Sequence, residues 1–118
     1  MVKRRKSSVA PIPDPCPISV CMGFIGGAWV PGIIWHLSGG PRRFSELKSD
    51  LGKVSPKVLS DQLKKLEDLG VLTRQVIPSS PPTVEYALTV IGREFKPIIE
   101  ALVQVGNKLK VQRTKKRT

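Results

Sequence analysis

Residues 55–70, SPKVLSDQLKKLEDLG, constrain the fold of this chain more than any other stretch, because they read as a helix able to cover a core with one side only. Ser55 suits an N-cap, and Pro56 suits the first helical position, where its missing N–H has no partner to lose. At about 100° per residue Leu59, Leu63 and Leu66 share one face, with Val58 and Leu69 flanking it. Gly70 supplies the stop. Lys57, Ser60, Asp61 and Lys64 fall on the far side. A solvated face is the ordinary reading of such a pattern, so the neighbouring segments decide what this one is for.

Before it, Ser38-Gly39-Gly40-Pro41 reads as a turn and Arg42-Arg43 lead into a second short helix over 44–51, with Phe44, Leu47 and Leu51 as its stripe. Gly52-Lys53-Val54 is then a three-residue connection, and two short helices joined so tightly make a helix-turn-helix. After it, residues 71–77 (VLTRQVI) and 83–88 (TVEYAL) alternate and are rich in β-favouring side chains. Pro78-Ser79-Ser80-Pro81-Pro82 between them is a stiff loop that cannot be a central strand. A lone hairpin is marginal, so this one must pack on the helices. A helix-turn-helix followed at once by a hairpin predicts a winged helix.

The remaining segments frame that unit. Residues 1–15 combine a basic cluster with prolines and predict a flexible arm. Pro17 can open a helix over 17–25, which Gly26-Gly27 ends. The stretch 28–37 is apolar almost throughout and must be surrounded by protein; its regular part is predicted at 31–37, with Trp29 filling the core just before. Thr89 caps a final helix to about residue 110, weakened by Gly92 and kinked at Pro97. Ile91, Phe95, Ile98, Ile99, Leu102, Val105 and Leu109 give that helix a broad apolar face, which reads as a subunit interface because so small a domain leaves little core to cover. The predicted class is α+β, mainly helical: a winged helix-turn-helix with a two-stranded wing and terminal dimerisation helices. Its divisions are the arm 1–15, the domain 16–107 and a basic tail 108–118.

Charge separates these divisions. The formal net charge is +11, of which Lys3, Arg4, Arg5 and Lys6 supply +4 and Lys108, Lys110, Arg113, Lys115, Lys116 and Arg117 supply +6. Ten basic and nine acidic residues lie between, and 42–65 alone holds seven basic against three acidic. A local +4 centred on the 55–70 helix points to a polyanion. No uninterrupted apolar run reaches about 18 residues, and the basic start leads into prolines, so neither a membrane span nor a signal peptide is expected. A cytoplasmic place follows, with Cys16 and Cys21 reduced. Two cysteines cannot make a zinc site, and whether they approach to disulfide distance is open. His36 has no carboxylate in its own segment to orient it, and phosphate loops and metal triads are lacking, so no enzyme activity, metal or cofactor is expected.

CPI at 16–18, IGGAW at 25–29, GPRRFSEL at 40–47, SPKVLSDQLKKLEDLGVLTR at 55–74, PPTVEYALTVIGRE at 81–94 and the 97–102 segment resemble, in order, the HxlR-type family of winged-helix transcription regulators. Ala28 departs from the lysine usual after the paired glycines, and Pro31-Gly32 replace the usual aliphatic pair. The resemblance implies a homodimer built by N- and C-terminal helices, with a recognition helix in each subunit. It also places Cys16 where some relatives carry a redox or electrophile sensor.

The expected partner is double-stranded DNA, since the major groove admits one α-helix. Ser55, Lys57, Val58, Ser60, Asp61 and Lys64 lie on or beside the accessible face. The lysines reach guanine edges or phosphates, Val58 meets a thymine methyl, and Asp61, which phosphate repels, accepts from a cytosine amine, pairs with a nearby lysine or points away. Arg42 and Arg43 suit backbone phosphates; Arg74 and Ser79-Ser80 approach through the wing. Cys16, beside Pro17 at a helix start, is the candidate redox sensor, with inert cysteine as the plain alternative. The competing functional reading is a non-specific architectural nucleic-acid binder driven by its basic tails; a protein-interaction module is a third, which the charge around residues 55–70 opposes. The effector is unknown.

Overall fold

The computed structural model describes residues 5–117. Its elements are α1 (Pro17–Ile25), α2 (Val30–Leu37), β1 (Arg42–Arg43), α3 (Phe44–Leu51), α4 (Pro56–Asp68), β2 (Leu72–Ile77), β3 (Thr83–Leu88), α5 (Val90–Glu94) and α6 (Lys96–Arg117). The fold is the expected α+β winged helix-turn-helix, mainly helical. Lys3 and Arg4 of the expected arm lie outside the described residues; from residue 5 to 16 there is neither helix nor strand.

Local chemistry explains most boundaries. The Ser55 hydroxyl accepts from the Val58 N–H at 3.2 Å and Pro56 opens α4. Gly70 ends that helix at φ 78°, and Gly52 bends the chain between α3 and α4 at φ 77°. Both conformations are costly for any residue with a Cβ. α2 starts at Val30, one residue before the expected 31, because Pro31 fits its first turn.

Three features differ from the expectations. The wing hairpin is joined by β1, giving a three-stranded antiparallel sheet in the order β1-β3-β2. Arg42 sits opposite Tyr86 and Arg43 opposite Glu85. The final helix is two helices, broken at Phe95 and not kinked at Pro97. Pro97 cannot donate to the Arg93 carbonyl and would collide with it, so the chain restarts and holds Pro97 in the first turn of α6. α6 then runs to Arg117 and takes in most of the basic segment expected as a tail, since residues 107–117 hold neither glycine nor proline.

The core is aliphatic, as composition requires. Ile33, Leu47, Leu59, Leu63 and Leu66 have no exposed surface, and Tyr86 and Phe95 are the buried aromatics among the described residues. Trp29 packs against this cluster. Each fully buried leucine contributes on the order of 1.5–3 kcal/mol. The sheet base is tied down by Thr89, which accepts from the Gly92 N–H at 3.1 Å and whose hydroxyl lies 2.6 Å from the Gly70 carbonyl. Gly92 is required here, because a Cβ would run into the Val71 carbonyl.

Candidate nucleic-acid interface

Three zero-exposure leucines press α4 onto the core, so rotation about its axis is settled, and Lys57, Ser60, Asp61 and Lys64 stand in solvent. Val58 is 38% exposed among them. Neither Lys57 nor Lys64 is paired with a carboxylate among the described residues. Asp61 likewise forms no salt bridge among the described residues. Ser55 spends an acceptor lone pair on the cap but keeps its O–H to donate.

The wing rises beside this helix. In β2, Arg74 faces Tyr86 of β3 across the ladder, and a groove of about 260 Å³ between sheet and helix is lined by Ser60, Lys64, Glu67, Arg74 and Tyr86. Glu67 and Tyr86 were not anticipated from sequence. Tyr86 was readable in principle, since pairing the two strands from their shared loop puts it opposite Arg74. At the tip, the Ser79 hydroxyl donates to the Pro81 carbonyl at 2.7 Å and so is turned into its own loop, while Ser80 is exposed.

The two arginines before α3 have different surroundings. Arg42 is half-buried, with Nε 3.0 Å and Nη2 2.9 Å from the two Asp50 carboxylate oxygens and Nη1 3.4 Å from Glu46. This bidentate pair fixes β1 to the end of α3. His36 Nδ1 lies 3.9 Å from the same Asp50 carboxylate, so a group absent from its own segment arrives from α3. Arg43 is exposed at the N-cap of α3; its backbone N–H donates to the Glu46 carboxylate at 2.8 Å, and among the described residues its guanidinium forms no salt bridge.

Cys16 is the N-cap residue of α1. The Ser19 backbone N–H, the Ser19 hydroxyl and the Ile18 N–H stabilise the thiolate and hold its pKa below the usual thiol range. Cys16 and Cys21 are both free.

The terminal helices carry the opposite kind of surface. Ile98, Leu102, Val105 and Leu109 of α6 and Ile18 and Met22 of α1 are each at least 42% exposed. Phe95 and Ile99 are the buried members of the stripe expected on the last helix. An apolar furrow of about 310 Å³ runs between α2 and α6, lined by Pro31, Gly32, Trp35, Ile99, Leu102 and Val103. Phe24 of α1 stacks on Phe95 with ring centres 6.4 Å apart. No single helix among the described residues is long and apolar enough to cross a membrane.

A family profile described as HxlR-like helix-turn-helix matches residues 24–114. The uncharacterized HTH-type transcriptional regulator YdeP of Bacillus subtilis (strain 168) is 38% identical over 95 residues, spanning 80% of this chain and 74% of that protein. Among solved structures, the redox regulator HypR in its oxidized form superposes with a TM-score of 0.75 at 33% identity, covering 79% of this chain and 96% of HypR. The reduced form of the transcriptional regulator YodB from B. subtilis gives 0.65 at 33% identity, covering 75% and 88%.

Proposed function

Because the chain belongs to the HxlR-like helix-turn-helix family, a family of transcriptional regulators and not of enzymes, we propose that it is a homodimeric, sequence-specific DNA-binding regulator acting in the cytoplasm. One observation carries the reading: α4 buries one face completely and presents unpaired Lys57 and Lys64 on the other, beside Arg74 on the wing. In this reading α4 enters the major groove, with Lys57, Val58, Ser60, Asp61 and Lys64 toward base edges and Ser55 and Arg43 at phosphates. Arg74 and the loop of Ser79 and Ser80 follow the flanking backbone. Arg42 is assigned the internal role of holding α3.

The dimer rests on the uncovered apolar faces of α1 and α6. The radius of gyration is 18.5 Å, against about 13.5 Å for a compact chain of this length. A second copy covers those faces and sets two α4 helices about one DNA turn apart. Selecting bound duplexes from a random pool, then comparing the winner with an unrelated duplex, tests the proposal. Specific binding exceeds non-specific by about 10³ or more; a ratio below about tenfold supports the architectural reading instead. Lys57→Ala weakens binding and relaxes base preference, whereas equal weakening on every sequence makes Lys57 a phosphate contact.

Thiol response is the finer part of the proposal. Cys16 has a stabilised thiolate at a helix start, and HypR, described as a redox regulator, shares the fold. Oxidant-dependent release from DNA that is lost in Cys16→Ser supports it; unchanged release in that variant removes Cys16 from the mechanism.

A further inference from the structure

At the base of the sheet, away from the wing tip, lies a cleft of about 200 Å³ between the end of α2, the start of β1 and the α5–α6 junction. Leu37, Pro41, Ala87 and Leu88 form its apolar wall, and Arg93 and Lys96 stand at the same cleft. The two cations flank the break at Phe95, Arg93 in α5 and Lys96 at the start of α6. Among the described residues neither is paired with a carboxylate. We propose that this cleft binds a small organic anion, with its apolar body against the four aliphatic side chains and its anionic head between Arg93 and Lys96. The volume is below the roughly 300–1,000 Å³ of drug-sized ligands and equals six or seven waters at about 30 Å³ each. A monocarboxylate of about eight heavy atoms matches it. The cleft lies away from the wing tip: Leu88 pairs with Leu72, at the other end of the hairpin from Ile77 and Thr83, about 17 Å along the strand.

Amide NMR titration of the full chain at fixed ionic strength tests this with three probes: hexanoate, 1-hexanol and inorganic phosphate. Hexanoate is expected to shift Ser38, Gly40, Ala87 and Arg93 saturably and to bind at least tenfold tighter than either other probe. Arg93→Gln with Lys96→Gln, and separately Ala87→Leu, which fills the cleft without changing charge, are each expected to weaken hexanoate at least tenfold with the remaining spectrum unchanged. Absence of saturable shifts, or equal affinity for hexanol, overturns the anion site. Phosphate binding as tightly as hexanoate overturns the apolar half of the assignment. Loss of DNA affinity in the Arg93/Lys96 variant with hexanoate binding retained makes the pair a DNA backbone contact and also overturns it.

Discussion

Helices α4 and α6 both leave a long face uncovered, and the chemistry of the two faces is opposite. The outer side of α4 carries lysines, a serine and an aspartate that water solvates well, so the helix can wait in solvent without penalty. The outer side of α6 carries Ile98, Leu102, Val105 and Leu109, each 42–54% exposed, whose wetting costs free energy in proportion to area. Exposure alone therefore does not distinguish them. One face suits a polyanion and the other suits more of the same apolar surface.

Variants can break or sharpen this contrast. The largest stability effect is expected beneath α4: Leu63→Ala should lower unfolding free energy by about 2–5 kcal/mol, read by urea denaturation, because the vacated space is fully enclosed. On α6, Leu102→Glu should raise the dimer dissociation constant about a hundredfold or more in sedimentation equilibrium, since a lone charge would be buried between copies. A loss of monomer stability equal to that of Leu63→Ala would mean that Leu102 belongs to the protomer core. The adjacent arginines separate next. Arg42→Ala should cost about 1–3 kcal/mol of stability by stranding Asp50. Arg43→Ala should leave stability within about 0.5 kcal/mol and lower DNA affinity and its salt slope instead.

The smallest effect concerns Cys16. Its pKa is depressed in the folded chain, so the stabilisation from the thiolate is complete above the unfolded value near 8.5 and vanishes as pH falls through the lower folded value. In a Cys21→Ser background, alkylation by iodoacetamide at neutral pH should therefore run faster in the native chain than in urea. Equal rates would leave Cys16 an ordinary thiol.

What sequence could show was mostly local. The limits of α1 and α3 followed from Pro17, Gly26 and Gly52, and α4 from Ser55, Pro56 and Gly70, because caps and breakers act within a few residues. β3 followed from alternation bounded by Pro82 and Thr89. β1 was hidden, since two arginines carry no strand signal and pair only because β3 offers an edge. The break at Phe95 needed the recognition that a proline three residues beyond Glu94 fits a new helix better than an old one. The Arg42–Asp50 pair and the approach of Asp50 to His36 join residues of different elements, and no pattern along the chain marks them. Tyr86 could be placed opposite Arg74 by pairing the strands from their loop, but its groove with α4 depends on how the sheet packs on that helix. For the interface, residue types on α4 were legible from periodicity, whereas the inward turn of Arg42 and of the Ser79 hydroxyl depended on folded surroundings.

The interruption at Phe95 has a mechanical consequence. Where Pro97 has no N–H to give, the direction of α6 is governed less by a continuous ladder than by how the Phe95 ring beds against Phe24 and the core. If α6 is the yoke between two copies, that single ring works like the pivot of a pair of calipers: a change of a few degrees there is magnified along the 22-residue arm into ångströms of jaw spacing at the duplex.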